Sequence, residues 1–128
     1  MRDLASNIGV ALALSPDVQA ATIKGTAVDL KGFNSAALVV NTGAIAGAGN
    51  YTAKLQESDT TTDGDFSDVA APGLIGALPA VLTADGSFKQ GYVGTKRYIR
   101  VVVTKNSGTS IAAGAVVVRG GAALKPVA

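Results

Sequence analysis

The sequence predicts an all-β fold, an antiparallel two-sheet β-sandwich of jelly-roll-like design, and three observations carry that expectation. Short runs of apolar and polar residues alternate along the chain, the period of a half-buried strand. Turn residues separate these runs at short intervals, whereas βαβ units need helical windows of roughly 10 to 15 residues between strands. Charged residues make up 16% of the 128 and glycines number 16, which suits short strands and tight turns better than helices or disorder. The length fits one domain, residues 1–128, against a prior of roughly 100 to 200 residues per domain.

Turn signals stand at "SPD" from Ser15, "KG" from Lys24, "KGFNS" from Lys31, "NTGAIAGAGN" from Asn41, "SDTTTDGD" from Ser58, "APG" from Ala71, "ADGS" from Ala84 and "KNSGTS" from Lys105. Between them the predicted strands run Val10 to Leu14, Gln19 to Lys24, Ala27 to Leu30, Ala36 to Asn41, Tyr51 to Ser58, Ser87 to Tyr92, Arg97 to Thr104 and Ala113 to Arg119. In the fifth, alternation sends Tyr51, Ala53 and Leu55 inward and Thr52, Lys54 and Gln56 outward. In the seventh, Ile99, Val101 and Val103 share one face, while Tyr98, Arg100 and Thr104 share the other. Residues Asp68 to Ala80 form a loop or a helical turn restricted by Pro72 and Pro79. The predicted core is Leu38, Val40, Leu55, Ile99, Val101, Val103 and Val117.

"AALVVN" and "AGAVVVRG" are apolar on both faces, as in strands covered on both sides. A domain this small cannot cover both faces of two strands with its own chain. A subunit interface is the natural place for the surplus. The opening segment 1–16 and the tail 120–128 are expected to make contacts between subunits, since neither holds enough apolar sequence for a separate core.

Several chemistries have no residues to support them. With no His and no Cys, a nucleophilic triad, a Cys zinc site and a disulfide framework have no starting material. No cofactor and no enzymatic activity are expected. The acidic loop "ESDTTTDGDFSD" offers Asp59, Asp63 and Asp65 as weak metal candidates, because hard cations favour several carboxylate oxygens. It departs from an EF-hand loop, with Thr61 where an acid or Asn is wanted and no terminal Glu, and is read instead as a solvated hairpin with Asp-Gly turn chemistry. "GAIAGAG" lacks the Lys and Ser or Thr of a phosphate loop and leads into a strand. The net charge is +2 with scattered basic residues, so neither nucleic acid nor membrane is an expected partner. "IGVALALSP" after Arg2 is closer to a strand than to a signal peptide, because Asp3 cancels the basic start.

The cluster Lys96, Arg97, Tyr98 and Arg100 has three readings: phosphate contact, strand-edge charges that discourage stray pairing, or a contact between subunits, where Arg and Tyr are enriched.

Taken together, "GTAVDLKGFNSAALVVNTG" (Gly25 to Gly43), "YTAKLQESDTTTDGDFSDV" (Tyr51 to Val69), "LIGA" (Leu74 to Ala77), "GYVGTKRYIRVVVT" (Gly91 to Thr104) and the opening "MRDLASNIGVALALSP" resemble small structural proteins encoded among the head genes of tailed bacteriophages and related prophages. These are strand and turn patterns, not active-site signatures. The resemblance implies a virion protein on the capsid exterior, a decoration or cement protein or the base of a head spike, assembled in the host bacterial cytoplasm. It implies the major capsid protein and further copies of the chain as partners, a trimer first and a pentamer second. Absence of Cys agrees with assembly in a reducing compartment. On this reading Tyr98, Arg100, Lys96, Leu12 and Leu14 are the candidate interface residues, with an ion pair from the basic cluster to the acidic loop of the same chain as the alternative. A tail or head-to-tail joining protein is the alternative within a virion. A carbohydrate-binding attachment module is a second alternative, disfavoured by the lack of Trp and by only three Tyr and three Phe.

Overall fold

The computed structural model describes residues 3–123. Within them lie ten strands: β1 (Gly9–Gln19), β2 (Ile23–Lys24), β3 (Val28–Asp29), β4 (Ser35–Ala46), β5 (Asn50–Ser58), β6 (Ser67–Asp68), β7 (Leu74–Ile75), β8 (Ser87–Tyr92), β9 (Tyr98–Ser107) and β10 (Ser110–Gly120). They form two antiparallel sheets. The first runs β1-β10-β4-β8-β7, and the second β2-β9-β5-β6, with β3 also paired to β9. The pairing is nested: β1 lies on β10, β2 and β3 on β9, β4 on β8, and β5 on β6.

Alternation builds the core as the sequence predicts. Ile99, Val101 and Val103 of β9 and Tyr51, Ala53 and Leu55 of β5 face inward from the second sheet, toward Leu38 and Val40 of β4 and Ala115 and Val117 of β10. All seven predicted core residues are buried. Each such Val, Leu or Ile side chain contributes about 1.5 to 3 kcal/mol by leaving water. Leu82, in the connection between β7 and β8, and Ile111 complete the interior; no alternation flags the first of them.

β1 departs from the expected pattern. "SPD" makes no turn: the strand continues through Pro16 to Gln19, and only the two residues of β2 remain of the predicted strand from Gln19 to Lys24. Pro is tolerated there because β1 is the edge of its sheet, where an absent N–H breaks no ladder bond. Register shifts fall between Leu12 and Leu14 and between Leu14 and Asp17. The first puts one more residue on β1 than on β10, which reverses the side-chain parity. Leu12 therefore faces out, while Ala13 and Leu14 are buried. Residues 9–16, part of the segment expected to make contacts between subunits, form an integral strand on β10. Of the expected tail, Gly120 closes β10 and residues 124–128 lie outside the described residues.

The turns after β4 and after β9 carry the chain from one sheet to the other. They pack on each other: Gly108 has φ +82°, and a Cβ there would collide with the Ala48 carbonyl. Glycine is required at that point.

Candidate contact surfaces

The basic cluster sits at the start of β9, an interior strand of the second sheet, and most of it is engaged within the chain. Arg100 stands across β5 from Gln56. Its Nε and Nη2 donate to Gln56 Oε1 at 2.9 and 2.7 Å, and its Nη1 donates to Asp63 Oδ1 at 2.7 Å. The guanidinium stacks 4.1 Å from the centre of the Phe66 ring, a cation–π contact. Lys24 Nζ donates to the same Asp63 carboxylate at 3.1 Å. The Arg100 hydrogen bond first, and Lys24 second, hold the Asp63 carboxyl below its ordinary range.

Arg100 is only 6% exposed, which corrects the expectation that it projects to a neighbour. The acidic loop folds back over it because a desolvated guanidinium needs a charged, hydrogen-bonded partner. Arg100→Ala is expected to destabilise the fold by about 1.5 to 3 kcal/mol, the usual range for hydrogen bonds to a charged group, measured by urea denaturation. Leu14, proposed alongside it, is buried in the core by the β1 bulge.

The remaining cluster is more accessible. Lys96 Nζ donates to Asp59 at 2.9 Å, with both side chains largely exposed. Tyr98 is half-buried under Arg97, whose guanidinium lies 5.0 Å from the ring centre. Arg97 grips Asp29 through Nε and Nη2 at 3.0 and 2.8 Å, the fork geometry of a bidentate pair. That contact, opposed by burial and helped by the Lys31 N–H, lowers the Asp29 carboxyl from 3.8 to about 2. A depressed carboxylate stabilises the fold above its unfolded pKa and loses that effect as pH falls through its folded value. Thermal stability should therefore decline between about pH 4 and pH 2, and Asp29→Asn should flatten that part of the profile. Both partners are well exposed, so solvent screening keeps the effect small.

Behind Lys96, the Tyr92 hydroxyl donates to Glu57 Oε1 at 2.7 Å and accepts the Lys96 backbone N–H at 3.1 Å. Desolvation first, then the Glu57 bond, pushes this phenol up to about 12.

The metal candidates do not converge. Asp63 serves Arg100 and Lys24, Asp59 serves Lys96, and Asp65 accepts from the Thr60 hydroxyl at 2.7 Å. Among the described residues no group of three or more His, Cys, Asp or Glu is placed to hold a metal ion.

The outer face of the first sheet has the opposite character. Cross-strand register places Val10, Val118, Ala37, Gly91 and Ile75 in one row, and Leu12, Val116, Val39 and Lys89 in the next. Val10, Leu12 and Ile75 are exposed by 60%, 53% and 61%, and Val18 of β1 by 62%. The doubly apolar "AALVVN" and "AGAVVVRG" segments are the neighbouring central strands β4 and β10, and their surplus faces meet here. The sequence carried that signal in those strands. It did not carry Val18 and Ile75, whose positions depend on the β1 bulges and on the two-residue β7.

No family model matches this chain, and no curated protein matches it. Among solved structures, chains in the structure of infectious bursal disease virus Gx strain and of its Gt strain align over 93% and 89% of this chain at 16% and 15% identity, with TM-scores of 0.46 and 0.45. This chain spans about a third of their length, 34% and 32%. Among the described residues no helix is long and apolar enough to cross a membrane.

Proposed function

We propose that this chain is a non-enzymatic structural protein of a tailed-bacteriophage virion that binds the capsid surface, as a decoration or cement protein or as the base of a head spike. The observation that carries an assembly role is the contrast between the sandwich's two broad faces. One is sealed by ion pairs within the chain, and the other presents contiguous apolar side chains to solvent. Exposed apolar patches of this kind mark protein contacts. The virion setting rests on the sequence resemblance to phage head proteins. The nested pairing of β1 with β10, β2 and β3 with β9, β4 with β8, and β5 with β6 supports a jelly roll.

The partners in this reading are the major capsid protein and further copies of the chain, on the outside of a head assembled in the host cytoplasm. Lys96 and Tyr98 remain the side chains at the charged end for capsid contact. The test is addition of purified protein to heads that lack it, followed by electron cryomicroscopy. Ordered extra density on the shell is expected, reduced in a Lys96→Ala, Tyr98→Ala double variant that folds normally. Heads left bare at saturating protein would reject the capsid role.

A further inference from the structure

We propose that the outer face of the β1-β10-β4-β8-β7 sheet is the contact between two copies of this chain, packed face to face about a twofold axis. This names the surface for the self-association in the proposed function, and it stands or falls separately from the capsid role.

The first argument is shape. The face has a ridge and a trough side by side. Leu12, Val116, Val118 and Val39 form the ridge. Beside it Gly114, Ala112 and Gly43, backed by Pro16 and Val18, leave a recess of about 480 Å³. Gly114 lies directly against Pro16, and Gly43 against Ala112, so no larger side chain fills the trough. An isologous contact needs both features on one patch, because each copy must supply what the other receives.

The second argument is area. The five strands, about 4.8 Å apart and averaging about eight residues in length, present roughly 600 Å² per copy, or roughly 1,200 Å² per pair, where specific interfaces begin. A flat face packed on itself closes at two copies, so the contact is a pair where the family resemblance implies a trimer first.

Sedimentation velocity over a range of concentrations tests this with the full chain. The parent should dissociate as a dimer in about the micromolar range. Val10→Glu and Leu12→Glu should sediment as monomers with unchanged circular dichroism, and Val81→Glu, at an exposed valine in the loop bonded to β5 of the other sheet, should remain dimeric. A parent that is monomeric throughout or that forms a trimer, or a folded Leu12→Glu variant that still dimerises, overturns the proposal. Monomers that nevertheless decorate heads would reject this contact and leave the capsid role standing; dimers that leave heads bare would do the reverse.

Discussion

Replacing Tyr51 by alanine is expected to lower the unfolding free energy by about 3 to 5 kcal/mol, the cost of emptying a large buried aromatic site. The ring is fully buried at the start of β5, between the sheets. Its hydroxyl donates to the Gln19 carbonyl at 2.9 Å and is shared with the Thr109 carbonyl at 3.2 Å. One side chain thus ties the end of β1 to the turn between β9 and β10. Tyr51→Phe keeps the ring and should cost about 1 to 3 kcal/mol, because it leaves a buried carbonyl without its donor. Urea denaturation monitored by circular dichroism separates the two effects. Equal losses in both variants would mean that the hydroxyl, and not the packing, dominates.

The second large effect compares neighbours on one strand. Leu38→Ala should destabilise by about 2 to 5 kcal/mol, since Leu38 is fully buried between the sheets. Val39→Ala, one residue on and on the opposite face, should cost about 1 kcal/mol or less in dilute protein. If two copies cover Val39, its cost should grow with protein concentration, because the partner stabilises only the folded chain. A Val39 variant as damaged as the Leu38 variant in dilute solution would place the core on the wrong side of β4.

What the sequence made legible was whatever depends on local period. Tyr51, Ala53 and Leu55 against Thr52, Lys54 and Gln56 fix one face of β5 without knowledge of the rest, and Ile99, Val101 and Val103 do the same for β9. The course of β1 was hidden because its decisive fact is not local. "SPD" is a turn by its own chemistry, and it stays in a strand because Ala113 and Ala112 of β10 pair with Asp17 and Val18 at a sheet edge. Arg100 was misplaced for a similar reason. Alternation correctly sent it to the outer face of its sheet, but its partners, Gln56 and Asp63, lie 44 and 37 residues away. An ion pair with the acidic loop is one reading of the sequence, but nothing in "KRYIRV" selects it over a contact with a neighbour. The apolar outer face was legible in β4 and β10 and illegible at Val18 and Ile75, which reach it only through a bulge and a two-residue strand.

The pairing of β1 with β10 has a consequence for how the protein is made. Among the described residues β10 follows every other strand in sequence, yet it sits between β1 and β4 in its sheet. Until it leaves the ribosome, the two strands it separates have no shared neighbour, and the apolar faces of both stay unmatched. This sheet is therefore expected to close only once β10 has been made. With contacts this distant along the chain, refolding should take milliseconds to seconds, not the microseconds of a helical bundle. In the crowded interval before closure, nascent copies are exposed to one another's unpaired strands. A stopped-flow refolding trace would show this as a single slow phase, lost altogether in a chain truncated before Ser110.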